Sequence, residues 1–167
     1  EAEVEVGFLT FVYQDGQILG DGLFNSDIVN VGDIIPGGGG SGLTTGGDGI
    51  LTIDGDYEQV GDMPLLGDAS GLLQIKLSDG GHSELQVTGN AILGGCLTVH
   101  VQEGYEPNEG EVFRVFSALD VAGQFDVALM QGLSDGKFMK LGYGSSPLRN
   151  GLGGVDVEVD FFEGLLD

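Results

Sequence analysis

The unit Leu85-Gln86-Val87 returns twelve residues later as Leu97-Thr98-Val99, and the same apolar-polar-apolar pattern stands at Leu51-Thr52-Ile53 and Leu73-Gln74-Ile75. An apolar residue at every second position specifies a strand with one buried face, because successive side chains of an extended chain point to opposite sides. Glycines bound most of these units, at Gly49, Gly71, Gly89, Gly94 and Gly95, so each strand is short and ends in a turn. No helical period competes. A chain that repeats one strand unit can bury its Leu, Ile and Val by stacking the copies as parallel rungs around one apolar interior. The copies at 51, 73 and 97 lie 22 and 24 residues apart and are expected to stack, with the copy at 85 on another face. An antiparallel β-sandwich is the alternative, since short strands at this spacing are also its signature. Sandwiches, however, rarely repeat the same residue classes from strand to strand.

Composition narrows the partners. The 167 residues suffice for one sizeable core, and the 41 % apolar fraction argues against wholesale disorder. Five Lys and Arg against 27 Asp and Glu give a net charge of −22, which repels phosphate backbones and anionic lipid. Nucleic acid is therefore not an expected partner, and cations are the natural counter-species. No run approaches the roughly 18 apolar residues of a membrane-spanning helix, so membrane insertion is not expected. The single cysteine, Cys96, excludes an internal disulfide.

Three regions are expected. Residues 1–31 form an N-terminal strand unit or arm, with Val4, Val6, Phe8 and Val12 on one side of its first strand and Ile28, Val29 and Val31 in a later one. Residues 32–49, GDIIPGGGGSGLTTGGDG, form a glycine-rich connector. Residues 50–167 form the repeat domain. Within it, 117–134 is the least regular stretch, open to a short helix or lid-like turn. Residues 155–161 alternate Val155, Val157, Val159 and Phe161 against Asp156, Glu158 and Asp160, a half-buried strand.

The strings GILTIDGDYEQ (49–59), GLLQIKL (71–77), SELQVTGNAILGGCLTVHV (83–101), GYEPNEGEVFRVF (104–116), GQFD (123–126) and VDVEVDFF (155–162) together resemble the C-terminal β-helix region of autotransporter passengers and related secreted bacterial β-solenoid repeat proteins. The resemblance covers residues 47–162 and leaves out 1–46. It implies a right-handed parallel β-helix and an extracellular or cell-surface location, and it carries no catalytic signature.

Side chains capable of chemistry are sparse. Cys96, Thr98 and His100 alternate on the polar face of one strand, which puts Cys96 and His100 about 13 Å apart at roughly 3.3 Å per residue. That is too far for a nucleophile and its base or for shared metal ligation. His82, in DGGHSE, reads as a solvated turn residue. Asp54, Asp56 and Glu58 read as one strand face and, with Asp48, as a possible calcium cluster, though without EF-hand or β-roll spacing. With five cationic residues in the chain, a lyase for acidic glycans is poorly supplied.

The expectation is a non-enzymatic extracellular structural protein, the subunit of a filament, sheath or adhesive surface layer. It would form a homo-oligomer or polymer when the arm carrying Val4, Val6, Phe8 and Val12 adds to a neighbour's strand edge. Pairing of the arm within its own chain is the simpler reading. A glycan-active β-helix enzyme would instead show a cleft of convergent carboxylates. A monomeric carbohydrate- or calcium-binding module would gather Tyr57, Tyr105 and Tyr143 on one face.

Overall fold

The computed structural model describes residues 8–38, 49–61, 70–145 and 152–161, and every regular element among them is a β-strand. The first three are β1 (Leu9–Val12), β2 (Gln17–Gly20) and β3 (Gly22–Phe24), one in each of three sheets. The chain then visits the sheets again in the same order with β4 (Asp27–Asn30), β5 (Asp33–Pro36) and β6 (Ile50–Ile53). A third round comprises β7 (Tyr57–Gln59), β8 (Leu72–Ser78) and, after the short β9 (Gly81–His82) has folded back on β8, β10 (Glu84–Val87). A fourth comprises β11 (Asn90–Leu93), β12 (Cys96–Val101) and β13 (Val112–Ala118). β14 (Asp120–Gly123) and β15 (Val127–Gln131) extend the first and second sheets, while β16 (Lys137–Ser145) and β17 (Gly153–Phe161) both enter the third.

The first sheet runs β1-β4-β7-β11-β14 and the second β2-β5-β8-β12-β15, parallel throughout. The third is parallel through β3-β6-β10-β13 and then reverses: β17 lies antiparallel to β13, and β16 antiparallel to β17. The fold is therefore all-β, with a parallel body and an antiparallel closing hairpin. The antiparallel sandwich alternative is not observed.

Alternation within the strands is as the sequence predicts. Leu97, Val99 and Val101 are buried beside the outward Cys96, Thr98 and His100, and Val155, Val157 and Val159 are fully buried. Side chains from all three sheets meet in one continuous core. The expected stacking of 51, 73 and 97 is corrected. Leu51 pairs with Leu85 in the third sheet, 34 residues on, and Leu73 pairs with Leu97 in the second, 24 residues on. Two columns replace the expected one because rounds differ in length with their turns.

Other expectations shift similarly. Residues 33–36 of the glycine-rich stretch form β5, and β1 and β3 pair with β4 and β6, so strands from 1–31 share sheets with those that follow. The stretch 117–134 is neither helix nor lid, but the end of β13 followed by β14 and β15. Of Ile28, Val29 and Val31, the first two lie in β4 and Val31 lies past its end.

Polar groups in the interior tie the first two sheets together. Asn30 and Gln59 occupy inward positions and are almost wholly buried. The Gln59 amide donates to the carbonyls of Gly71 and Gly94 at 3.0 Å and of Cys96 at 2.9 Å, while its Oε1 accepts from the Tyr57 hydroxyl at 2.8 Å. The Asn30 amide donates to that hydroxyl at 3.2 Å, and the Gly32 N–H donates to Asn30 Oδ1 at 3.0 Å. Burial pushes the Tyr57 phenol pKa well above its ordinary value, with the Asn30 contact a smaller opposing effect. The network satisfies carbonyls at the turn between the two sheets, where Gly95 adopts φ +64° and a side chain would crowd the Val60 carbonyl 2.8 Å away.

Candidate assembly interface

Of the carboxylates considered for calcium, Asp54 and Asp56 hold hydrogen-bond partners. Asp54 and Asp56 precede β7 and are not on one strand face with Glu58, which points outward from that strand. Asp27 Oδ1 accepts the backbone N–H of Asp56 at 2.8 Å, and Asp56 Oδ1 accepts that of Asn90 at 2.7 Å. Each acidic residue thus caps a backbone donor one rung further on. Asp54 Oδ1 accepts the Thr88 hydroxyl at 2.8 Å, and Asp126 Oδ2 accepts the Gly95 N–H at 2.7 Å. Asp48 lies outside the described residues. No three His, Cys, Asp or Glu side chains among the described residues converge on a metal position.

His82 is not a free turn residue. Its Nε2 lies 2.9 Å from the Arg114 carbonyl, and its ring meets Phe113 edge-on at 5.6 Å. The pairing of β13 with β17 shifts register between Arg114 and Phe116. Arg114 also pairs with Asp156 across the antiparallel strands. Nothing on the sequence side signalled the His82 contact, since its partner is a backbone carbonyl 32 residues away.

A surface depression of about 420 Å³ lies beyond β12, lined by Asp79, Gln102, Glu103, Tyr105, Glu106 and Asn108 among others. Three of its polar side chains are engaged from outside the lining, Tyr105 and Asn108 by Glu111 and Glu106 by Ser134 and Lys137. Tyr105 donates to Glu111, and partial burial, followed by the Glu111 charge, raises the phenol pKa. Glu106 bonds Lys137 at 2.7 Å and Ser134 at 2.9 Å, which lowers its carboxyl pKa. Tyr143 is elsewhere, its hydroxyl accepting the Phe125 N–H at 3.2 Å, and Tyr57 is buried, so the three tyrosines form no common face.

The strand edges differ at the two ends. β1, β2 and β3 each terminate a sheet, and among the described residues none has a partner on its outer side. Of the arm residues, Val4 and Val6 lie outside the described residues. Val12 is buried, and β1 pairs in parallel with β4 of its own chain. Phe8 does not join Val12 on the inner face: it precedes β1 and is 71 % exposed. Around this first round Leu9, Phe11 and Tyr13 are also exposed, as are Leu19 (52 %) on the second sheet and Leu23 (67 %) on the third. Phe11 and Tyr13 stack at 6.3 Å. Further along the third sheet the outward column is polar, running from Leu23 to Thr52, Gln86 and Ser117.

Comparison with known proteins assigns no family: no protein-family model and no curated protein matches the chain. Its role rests on geometry.

Proposed function

We propose that this chain is a non-enzymatic structural protein, a right-handed β-solenoid block in which the three sheets are the faces of one coil. It works at the cell surface or outside the cell by joining strand edges. The cyclic order of the three sheets and their in-register parallel columns support the coil. The observation that carries the role is the first round: three outer strands with no partner on their outer sides among the described residues, ringed by Phe11, Leu19 and Leu23, on a molecule of charge −22. Like charge keeps the flanks of such molecules apart. An open parallel edge offers unpaired N–H and C=O groups, and apolar side chains beside it add the burial that holds a strand there. Sedimentation of the purified 167-residue chain over a wide concentration range tests this. Reversible association that survives raised salt is the expected result, and a monomer at every concentration and salt level would overturn it.

A further inference from the structure

We infer that the partner at this open end is a second copy of the chain in a two-fold, first-round-to-first-round arrangement, so that association stops at a dimer. This rests on the solenoid and strand-edge reading above.

The far end rules out head-to-tail growth. In the third sheet β17 fills the row beyond β13, and β16 fills one row more. The first and second sheets end one row earlier, at β14 and β15. A copy advanced along the axis would bring its β3 into the row that β16 occupies. The first and second sheets could continue only if the third were opened.

Among the described residues the near end has no such obstruction, and its geometry selects one two-fold axis. In a coil with about 4.8 Å between rows, β2 starts roughly one third of a row beyond β1, and β3 roughly two thirds beyond it. A two-fold through the first or third sheet leaves the three facing gaps unequal by a full row. A two-fold through the second sheet sets β2 against the partner's β2, β1 against the partner's β3, and β3 against the partner's β1, with all three gaps equal. Each pair is then antiparallel, and all inward side chains remain inward. Leu19 meets its own symmetry region, and Phe11 comes beside the partner's Leu23. The strands brought together carry no charge themselves: within residues 8–24 the charged residues are Asp15 and Asp21, both in turns outside the three strands.

Sedimentation equilibrium on the intact chain, with Leu19→Asp, Leu23→Lys and Leu129→Lys compared with the wild type, separates the outcomes. The wild type is expected to fit a monomer–dimer equilibrium with no larger species. Leu19→Asp and Leu23→Lys are expected to weaken it by roughly tenfold or more, since a charge would face an apolar neighbour across the junction. Leu129→Lys, on the outer strand β15, should leave it unchanged. All three sites are exposed, and matching thermal melts establish that each variant is folded. In a Cys96→Ser background, Leu19→Cys should yield a crosslinked dimer with a short thiol crosslinker, and Leu129→Cys should not. Oligomers that keep lengthening with concentration, or weakening by Leu129→Lys, would overturn the two-fold dimer while leaving strand-edge association standing. A wild-type monomer throughout would overturn both.

Discussion

Tyr57 shows how single residues fix the turn between the first two sheets. Its hydroxyl stands between Asn30 and Gln59, so Tyr57→Phe would leave two buried amides each short of a partner. A loss of about 1–3 kcal/mol in urea unfolding is expected. The same phenol imposes a pH limit. Its pKa is raised by burial, so its contribution is complete below the ordinary phenol value of about 10 and is lost as the pH climbs toward the folded value. Wild-type stability should fall above about pH 10, and the Phe variant should show a smaller fall, as read by urea midpoints across that range. These inward polar groups were not legible in the sequence. Asn30 and Gln59 sit where an alternating strand calls for apolar residues, and their partners, the Tyr57 hydroxyl, the Gly32 N–H and the carbonyls of Gly71, Gly94 and Cys96, come together only in the fold.

At the scale of the strand and its corner, the acidic residues act as caps. Asp56→Asn keeps an oxygen for the Asn90 N–H and should be nearly neutral, whereas Asp56→Ala removes it and should cost about 1 kcal/mol. Paired chemical melts distinguish the two. The antiparallel seam is less forgiving. A Cβ on Gly154 would lie 2.7 Å from the Phe116 carbonyl and against Arg114 Nη1, so Gly154→Ala should cost about 1–3 kcal/mol by the same measurement. The strands themselves were legible, because L-x-I and V-x-V alternation is a local property of the chain. Which strands stack was not. The interval between copies counts residues, whereas stacking depends on how many faces the intervening turns traverse. Leu85 and Leu97 are twelve apart and lie in different sheets, with β11 between them in the remaining one. For the same reason, β5 was hidden within a run of glycines. Of the candidate site, the exposed apolar ring could be named only after Phe11, Leu19 and Leu23 proved to face outward, since alternation alone does not say which side is inside.

For the whole molecule, the order of strands within the sheets predicts a gradient of protection. Strands β8, β10 and β12 are paired on both sides and surround the most buried side chains, while β1, β2 and β3, like β14, β15 and β16 at the other end, have one side with no partner among the described residues. Amide exchange should be slowest in the former and fastest in the latter, and hydrogen exchange followed by mass spectrometry reads this directly. Dimerisation through the first round would slow β1–β3 selectively at high protein concentration. The closing hairpin has a mechanical consequence as well. A tensile load on the two termini would reach β1, which among the described residues is paired on one side, but meet β17 held between β13 and β16. Under traction the molecule should therefore unravel stepwise from its opening strand, like a cord anchored by a knot at the other extremity.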